Sequence, residues 1–195
     1  MAEGSIEVLS TGATAPDFEL RGTDGETYSL DDFAANEAVL LVFTCNHCPY
    51  AKAKFDELNA IADDYDEVAV VGVNSNNNSD YPDDSFERMQ ELVEDGTIQY
   101  DAYLFDEDQR VAADYGAVCT PDPFLLERAS GSFELAFHSR LDDATSPDDE
   151  PTRREMREAI DALLAGEEIP VEESPSRGCS IKWREGNEPD YWDQV

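Results

Sequence analysis

The chain has 195 residues, and 46 Asp and Glu against 13 Lys and Arg give it a formal net charge of -33. A field of that sign repels phosphate backbones and anionic lipid, which excludes nucleic acid and membrane surfaces as partners. Hydrophobic residues at 41% and aromatics at 10% exclude an intrinsically disordered chain and suffice for one packed core with appendages.

The acids are spread along the whole chain, and Lys52, Lys54 and Lys182 are its only lysines. Such self-repulsion is tolerable where concentrated salt shortens the Debye length to about 3 Å at 1 M, so the composition predicts a halophile's surface. Residues 1–12 have no basic start with an apolar run, and no stretch reaches transmembrane length, so the expected compartment is the cytoplasm. In that compartment the four cysteines, Cys45, Cys48, Cys119 and Cys179, read as catalytic or metal-binding rather than as structural disulfides.

In chain order, residues 15–20 and 27–30 read as two strands joined by a turn at 23–26, and Ser29 or Asp31 caps a helical turn through Phe33. Residues 38–43 contain no polar side chain and do not alternate, as expected of a central strand covered on both faces. From 48 to 65, Ala51, Phe55, Leu58, Ile61, Ala62 and Tyr65 recur at helical spacing, with Pro49 in the first turn. Residues 68–73 form another buried strand, and strand, helix, strand predicts a parallel, right-handed βαβ unit.

Residues 74–80, with four asparagines and two serines, predict a polar loop whose tip overhangs the cysteines. Asp83 or Asp84 then starts a helix carrying Phe86, Met89, Leu92 and Val93, which Gly96 ends. A strand at 103–105 and a helix at 111–115, closed by Gly116, lead to Val118-Cys119-Thr120-Pro121. An antiparallel hairpin over 124–127 and 133–138 follows, then an acidic linker at 142–151 read as solvated surface, and a last helix over 152–165. Beyond Gly166 the chain is broken by Pro170, Pro175, Gly178, Gly186 and Pro189, yet carries Ile181, Trp183, Tyr191 and Trp192. The expected organisation is a domain over 1–166 and an extension over 167–195 that partly packs back on it.

In Cys45-Asn46-His47-Cys48 two sulfurs stand where a buried strand gives way to a helix. Free N–H groups at a helix start favour a thiolate, so Cys45 is expected to have a depressed pKa and to attack, with Cys48 displacing the partner from the mixed disulfide. His47 either stabilises that thiolate or is a solvent-facing residue of the helix start. Cys119 is either a third thiol or a small buried core residue. Cys179 either resolves or caps the site, or is a surface thiol without a role.

Ala15-Pro16-Asp17-Phe18 with Gly25 and Ser29-Leu30-Asp31-Asp32-Phe33, the passage Thr44-Cys45-Asn46-His47-Cys48-Pro49-Tyr50, Tyr81-Pro82-Asp83-Asp84-Ser85 and Gly178-Cys179-Ser180-Ile181-Lys182-Trp183 together resemble the redoxin branch of the thioredoxin-like proteins, those described as alkyl hydroperoxide reductase-like. The resemblance covers almost the whole chain. It implies an α/β thioredoxin-like fold, a central mixed sheet flanked by helices, with an N-terminal β-hairpin extension and an irregular C-terminal tail. It also implies that Cys45 is the nucleophile and Cys48 the resolving cysteine, and that the bond between Thr120 and Pro121 is cis, with Thr120 offering backbone groups to a substrate strand. The chain departs from that pattern in having no tryptophan before Cys45, no carboxylate in residues 39–43 and no peroxide-binding threonine motif around Thr44.

The expected function is a thiol–disulfide oxidoreductase without an organic cofactor, acting on a disulfide-bearing or peroxide substrate with an unidentified thiol reductant. The alternatives are a thiol-dependent peroxidase and, in another class, a copper or zinc protein using Cys45, Cys48 and Cys119 with His47 or His138.

Overall fold

The structure, a computed structural model, describes residues 2–194. Its elements in order are β1 (Ala2–Gly4), β2 (Leu20–Gly22), β3 (Thr27–Tyr28), β4 (Ala38–Phe43), α1 (Pro49–Lys52), α2 (Phe55–Asp64), β5 (Val68–Asn74), α3 (Phe86–Glu94), β6 (Ala102–Phe105), α4 (Arg110–Tyr115), β7 (Cys119–Thr120), β8 (Asp122–Ala129), β9 (Ser132–His138), α5 (Glu155–Leu164) and β10 (Arg177–Ser180).

Seven strands form the main sheet in the order β3-β2-β6-β5-β4-β8-β9. β4 runs parallel to β5 and antiparallel to β8, and β5 runs parallel to β6. The unbroken apolar run of β4 follows from its place in the middle. Val39, Leu41 and Phe43 enter one core with Leu20, Tyr115 and Phe124. Ala38, Leu40 and Val42 enter a second core on the opposite face, with Leu58 and Ile61 of α2 and Met156 and Ile160 of α5. A third cluster lies below the C-terminal end of β4, where Cys45, Cys48, Phe55, Phe86 and Met89 meet. No helix among the described residues is long and apolar enough to cross a membrane.

Several local expectations shift. The strand expected over 15–20 begins only at Leu20, because Asp17 turns its carboxylate onto the N–H groups of Phe18 and Leu30. Asp32, not Asp31, completes the helical turn at Leu30–Phe33 by accepting from the N–H and hydroxyl of Ser29. The helix expected over 48–65 is two helices, α1 and α2, interrupted at Lys54, whose ammonium pairs at 2.6 Å with Asp142. Asp142 is accordingly buried rather than part of a solvated linker. Asp83 and Asp84 lie in a 3-10 turn, and the cap of α3 is Ser85, which accepts from the Arg88 N–H.

The first half of the asparagine stretch is folded into the protein. Asn74, Ser75, Asn76 and Asn77 are buried, and the C-terminal chain docks on them: the Asn77 N–H donates to the Lys182 carbonyl and the Lys182 N–H to Asn76 Oδ1, both at 2.8 Å. Trp183 meets Trp192 edge to face, and the Tyr191 hydroxyl donates to the carbonyls of Ala112 and Ala117. Just before these anchors β10 forms the middle strand of a second sheet, β1-β10-β7.

Candidate active site

Cys45 follows β4 after one residue, and Cys48 is the N-cap of α1. Both sulfurs lack exposed surface, and no disulfide joins any of the four cysteines. The Cys45 and Cys48 thiols lie within hydrogen-bonding reach of each other. Thr120 touches both: its hydroxyl is 3.2 Å from Cys45 Sγ and its carbonyl oxygen 3.5 Å from Cys48 Sγ.

The loop between the cysteines is held by Asp84, whose carboxylate is wholly buried. Its Oδ1 accepts from the Asn46 N–H at 2.7 Å, while its Oδ2 meets His47 Nδ1 at 2.5 Å and Asn76 Nδ2 at 2.7 Å. Asn46 is further fixed by the Tyr103 hydroxyl, which donates to Oδ1 at 2.7 Å. The His47 ring stacks on Tyr81 and keeps a quarter of its surface exposed. Ligand atoms of Cys45, His47 and Asp84 all lie within 4.8 Å of one another. A histidine oriented by a buried carboxylate beside a thiol is an arrangement for moving that thiol's proton.

The opposite wall is the cis bond between Thr120 and Pro121, as expected. It is anchored by Asp122, whose Oδ2 accepts from the Val118 N–H and whose Oδ1 meets His138 Nε2 at 2.9 Å. Burial alone would lower the His138 pKa; the Asp122 charge and hydrogen bond outweigh it and raise it. The backbone edge of Thr120, expected to face a substrate strand, is occupied by the chain itself: β10 pairs with β7, Cys179 opposite Thr120 and Ser180 opposite Cys119. Cys119 is buried with its Sγ 3.7 Å from the Pro121 carbonyl oxygen. It is the Thr120 side chain that reaches the pair.

The two thiols form one coupled pair that shares its proton unequally. Burial, then the hydrogen bond to Cys48 and the Asp84 charge, raise Cys45 well above the ordinary thiol range, and only the Thr120 hydroxyl opposes them. Cys48 is lowered, first by the Cys45 thiol against its own desolvation, then by the Cys179 thiol and the N–H groups of Ala51 and Cys179. The contact between the two sulfurs is the main cause of the split, and the Ala51 N–H at the start of α1 adds to it on the Cys48 side. The Thr120 carbonyl favours protonated Cys48 but is outnumbered by these donors.

The soft metal set expected from the sequence is not what the fold gathers. His138 is committed to Asp122 and to stacking on Phe124 at 4.0 Å, and the ligand-type group among the described residues is Cys45, His47 and Asp84. In that group the imidazole and carboxylate satisfy one another directly. Asp84, Asn76 and Tyr103 escaped sequence reasoning. The signals were an unusual density of asparagine and aspartate over residues 74–84 and, for Asp84, its place in the Tyr81-Pro82-Asp83-Asp84-Ser85 segment of the resemblance.

The sheet, the cysteine pair at the end of its central strand and the facing cis-proline define a thioredoxin-like protein. The chain belongs to the AhpC/TSA family, whose pattern matches residues 11–131. It is similar over nearly its full length to an uncharacterized conserved protein from Geobacillus kaustophilus, at 36% identity and a TM-score of 0.86, covering 94% of this chain and 97% of that one. It is 30% identical over 125 residues to the thiol:disulfide interchange protein DsbE of Escherichia coli, a match spanning 63% of each chain. A Helicobacter pylori protein named as a peroxiredoxin, bcp, is 27% identical over 114 residues, which are 57% of this chain and 69% of that one.

Proposed function

We propose that the protein is a thiol–disulfide oxidoreductase in which Cys45 and Cys48 cycle between dithiol and disulfide. The observation that carries this reading is the hydrogen-bonded sulfur pair, one thiol held low and the other high in proton affinity, with Thr120 touching both. Exchange needs one thiolate to attack and a second thiol to release the product. In this reading the Cys48 thiolate attacks a substrate disulfide, expelling one substrate sulfur as a thiolate. Cys45 then attacks Cys48 in the mixed disulfide, the second substrate sulfur leaves, and the Cys45–Cys48 disulfide remains. The proton lost by Cys45 passes towards His47, with Asp84 as the residue that positions the imidazole. Thr120 and Pro121 form the wall against which the reacting sulfurs lie. An unidentified thiol reductant restores the dithiol.

One observation favours a second reading, a thiol-dependent peroxidase. Neither sulfur has exposed surface, and a peroxide is small enough to reach a covered thiolate. The Cys48 thiolate would then take one oxygen as a sulfenic acid, releasing water, and condense with Cys45 to the disulfide with loss of a second water. The relatives named as an interchange protein and a peroxiredoxin support one reading each. We place the protein in the cytoplasm of a cell with concentrated internal salt, on the support of its evenly spread charge of -33.

The test is catalysed reduction of insulin disulfides by dithiothreitol in molar KCl, alongside consumption of hydrogen peroxide. Cys45→Ser and Cys48→Ser should each lower exchange at least hundredfold. Retention of exchange by both variants overturns the first reading, and peroxide consumption that survives Cys48→Ser overturns the second.

A further inference from the structure

The Cys45–Cys48 pair has no exposed surface, yet a third sulfur stands between it and solvent. Cys179 lies opposite Thr120 in β10, and both its thiol and its N–H are within hydrogen-bonding reach of Cys48 Sγ. Of these three cysteines it alone is partly exposed. Its position is built rather than incidental. β10 is paired on both sides, by β1 and β7, and the Ile181 N–H extends the pairing to the Val118 carbonyl at 2.9 Å. At Gly178 the strand approaches the cis-proline peptide so closely that an added Cβ would lie 2.0 Å from the Thr120 carbonyl oxygen. Only glycine permits that approach, and it is what delivers the next residue, Cys179, to Cys48.

We propose that Cys179 is a third redox-active cysteine, which takes the disulfide from the buried pair and presents it, as Cys48–Cys179, to external thiols. The proposal rests on the exchange reading of Cys45 and Cys48. Once the Cys45–Cys48 disulfide has formed, the Cys179 thiolate attacks Cys48 Sγ. The Cys48–Cys179 bond forms, the Cys45–Cys48 bond breaks, and Cys45 leaves as a thiolate that takes up the proton Cys179 gave up. No net oxidation occurs in this step. An external thiol then attacks the exposed Cys179 sulfur and releases the Cys48 thiolate. A second equivalent displaces the first as an external disulfide and leaves Cys179 a thiol. The Cys179 pKa is pushed up to about 11, first by burial and then by Cys48, so its attack is coupled to proton uptake by the Cys45 sulfur that leaves.

The test uses the full chain in molar KCl, oxidised with diamide, quenched in acid, alkylated and mapped for disulfide-linked peptides. Cys45→Ser should form Cys48–Cys179 nearly completely, and wild type should show Cys45–Cys48 together with Cys48–Cys179. Oxidised Cys179→Ser, folded as judged by circular dichroism, should keep Cys45–Cys48 and be re-reduced by dithiothreitol at least tenfold more slowly than wild type. The inference is overturned, with the exchange reading intact, if Cys179→Ser is re-reduced at the wild-type rate and Cys45→Ser forms no Cys48–Cys179 bridge. Failure of wild type and Cys179→Ser alike to form Cys45–Cys48 overturns both.

Discussion

The protein has two histidines, and each is held by a wholly buried aspartate, but the two pairs stand in different surroundings. His47 and Asp84 face Cys45 across less than 5 Å, with a quarter of the His47 side chain exposed and its ring stacked on the exposed Tyr81. His138 and Asp122 lie beneath the cis-proline wall, with His138 only 7% exposed and its ring against Phe124. Both aspartates also accept backbone N–H groups, Asp84 from the loop between the cysteines and Asp122 from the segment before Thr120. One pair therefore fixes each wall of the site, but only one leaves its imidazole beside a thiol. In the proposed reading, solvent access and the neighbouring atom, not residue type, separate a group that moves a proton from one that braces a turn.

The largest effect that tests this contrast is at Asp84. Asp84→Ala should lower the exchange rate about 100-fold, in the range lost with general acid–base assistance, and also destabilise the fold by about 3 kcal/mol by stranding the donors of Asn46, His47 and Asn76. Exchange kinetics and urea unfolding in molar KCl measure both, and an unchanged rate in a folded variant would make the first pair as structural as the second.

A smaller and opposite signature is expected from His138→Asn. Its exchange rate should stay within about threefold of wild type, while stability falls by about 2 kcal/mol through loss of a partner to a buried carboxylate. The Asp122 pairing raises the His138 pKa in the folded state. Its stabilisation is thus complete below the unfolded value of about 6.5 and fades as pH rises through the folded value. The stability gap between wild type and His138→Asn should shrink from pH 6 to pH 9, as read by urea midpoints. A gap that widens would reverse the assignment.

The smallest effect belongs to Tyr81. Tyr81→Leu removes the stack on His47 but leaves the hydrogen bonds of the Asp84 carboxylate with Asn46, His47 and Asn76 in place. Stability should change by about 0.5 kcal/mol, and the exchange rate by less than about threefold. A larger rate loss would show that stacking, rather than Asp84, orients the imidazole.

What the sequence settled by itself is what local pattern carries. The unbroken apolar run of β4, the alternation of β9 and the cysteine pair before Pro49 are each written in a few adjacent residues, and each took the expected form. The cis bond between Thr120 and Pro121 was expected only through the family resemblance, since Thr-Pro by itself reads as an ordinary turn. Tertiary structure decided the rest, because the groups concerned are remote in the chain. Asp84 reaches the Asn46 N–H from 38 residues away, and no periodicity announces a carboxylate that leaves a helix cap to bind a distant loop. The division of proton affinity between the two thiols depended on their contact with each other and on neighbours such as Cys179 that come from remote segments. The role of the tail depended on a strand pairing between residues 179 and 120, which hydrogen-bond geometry makes specific only once both segments are in place.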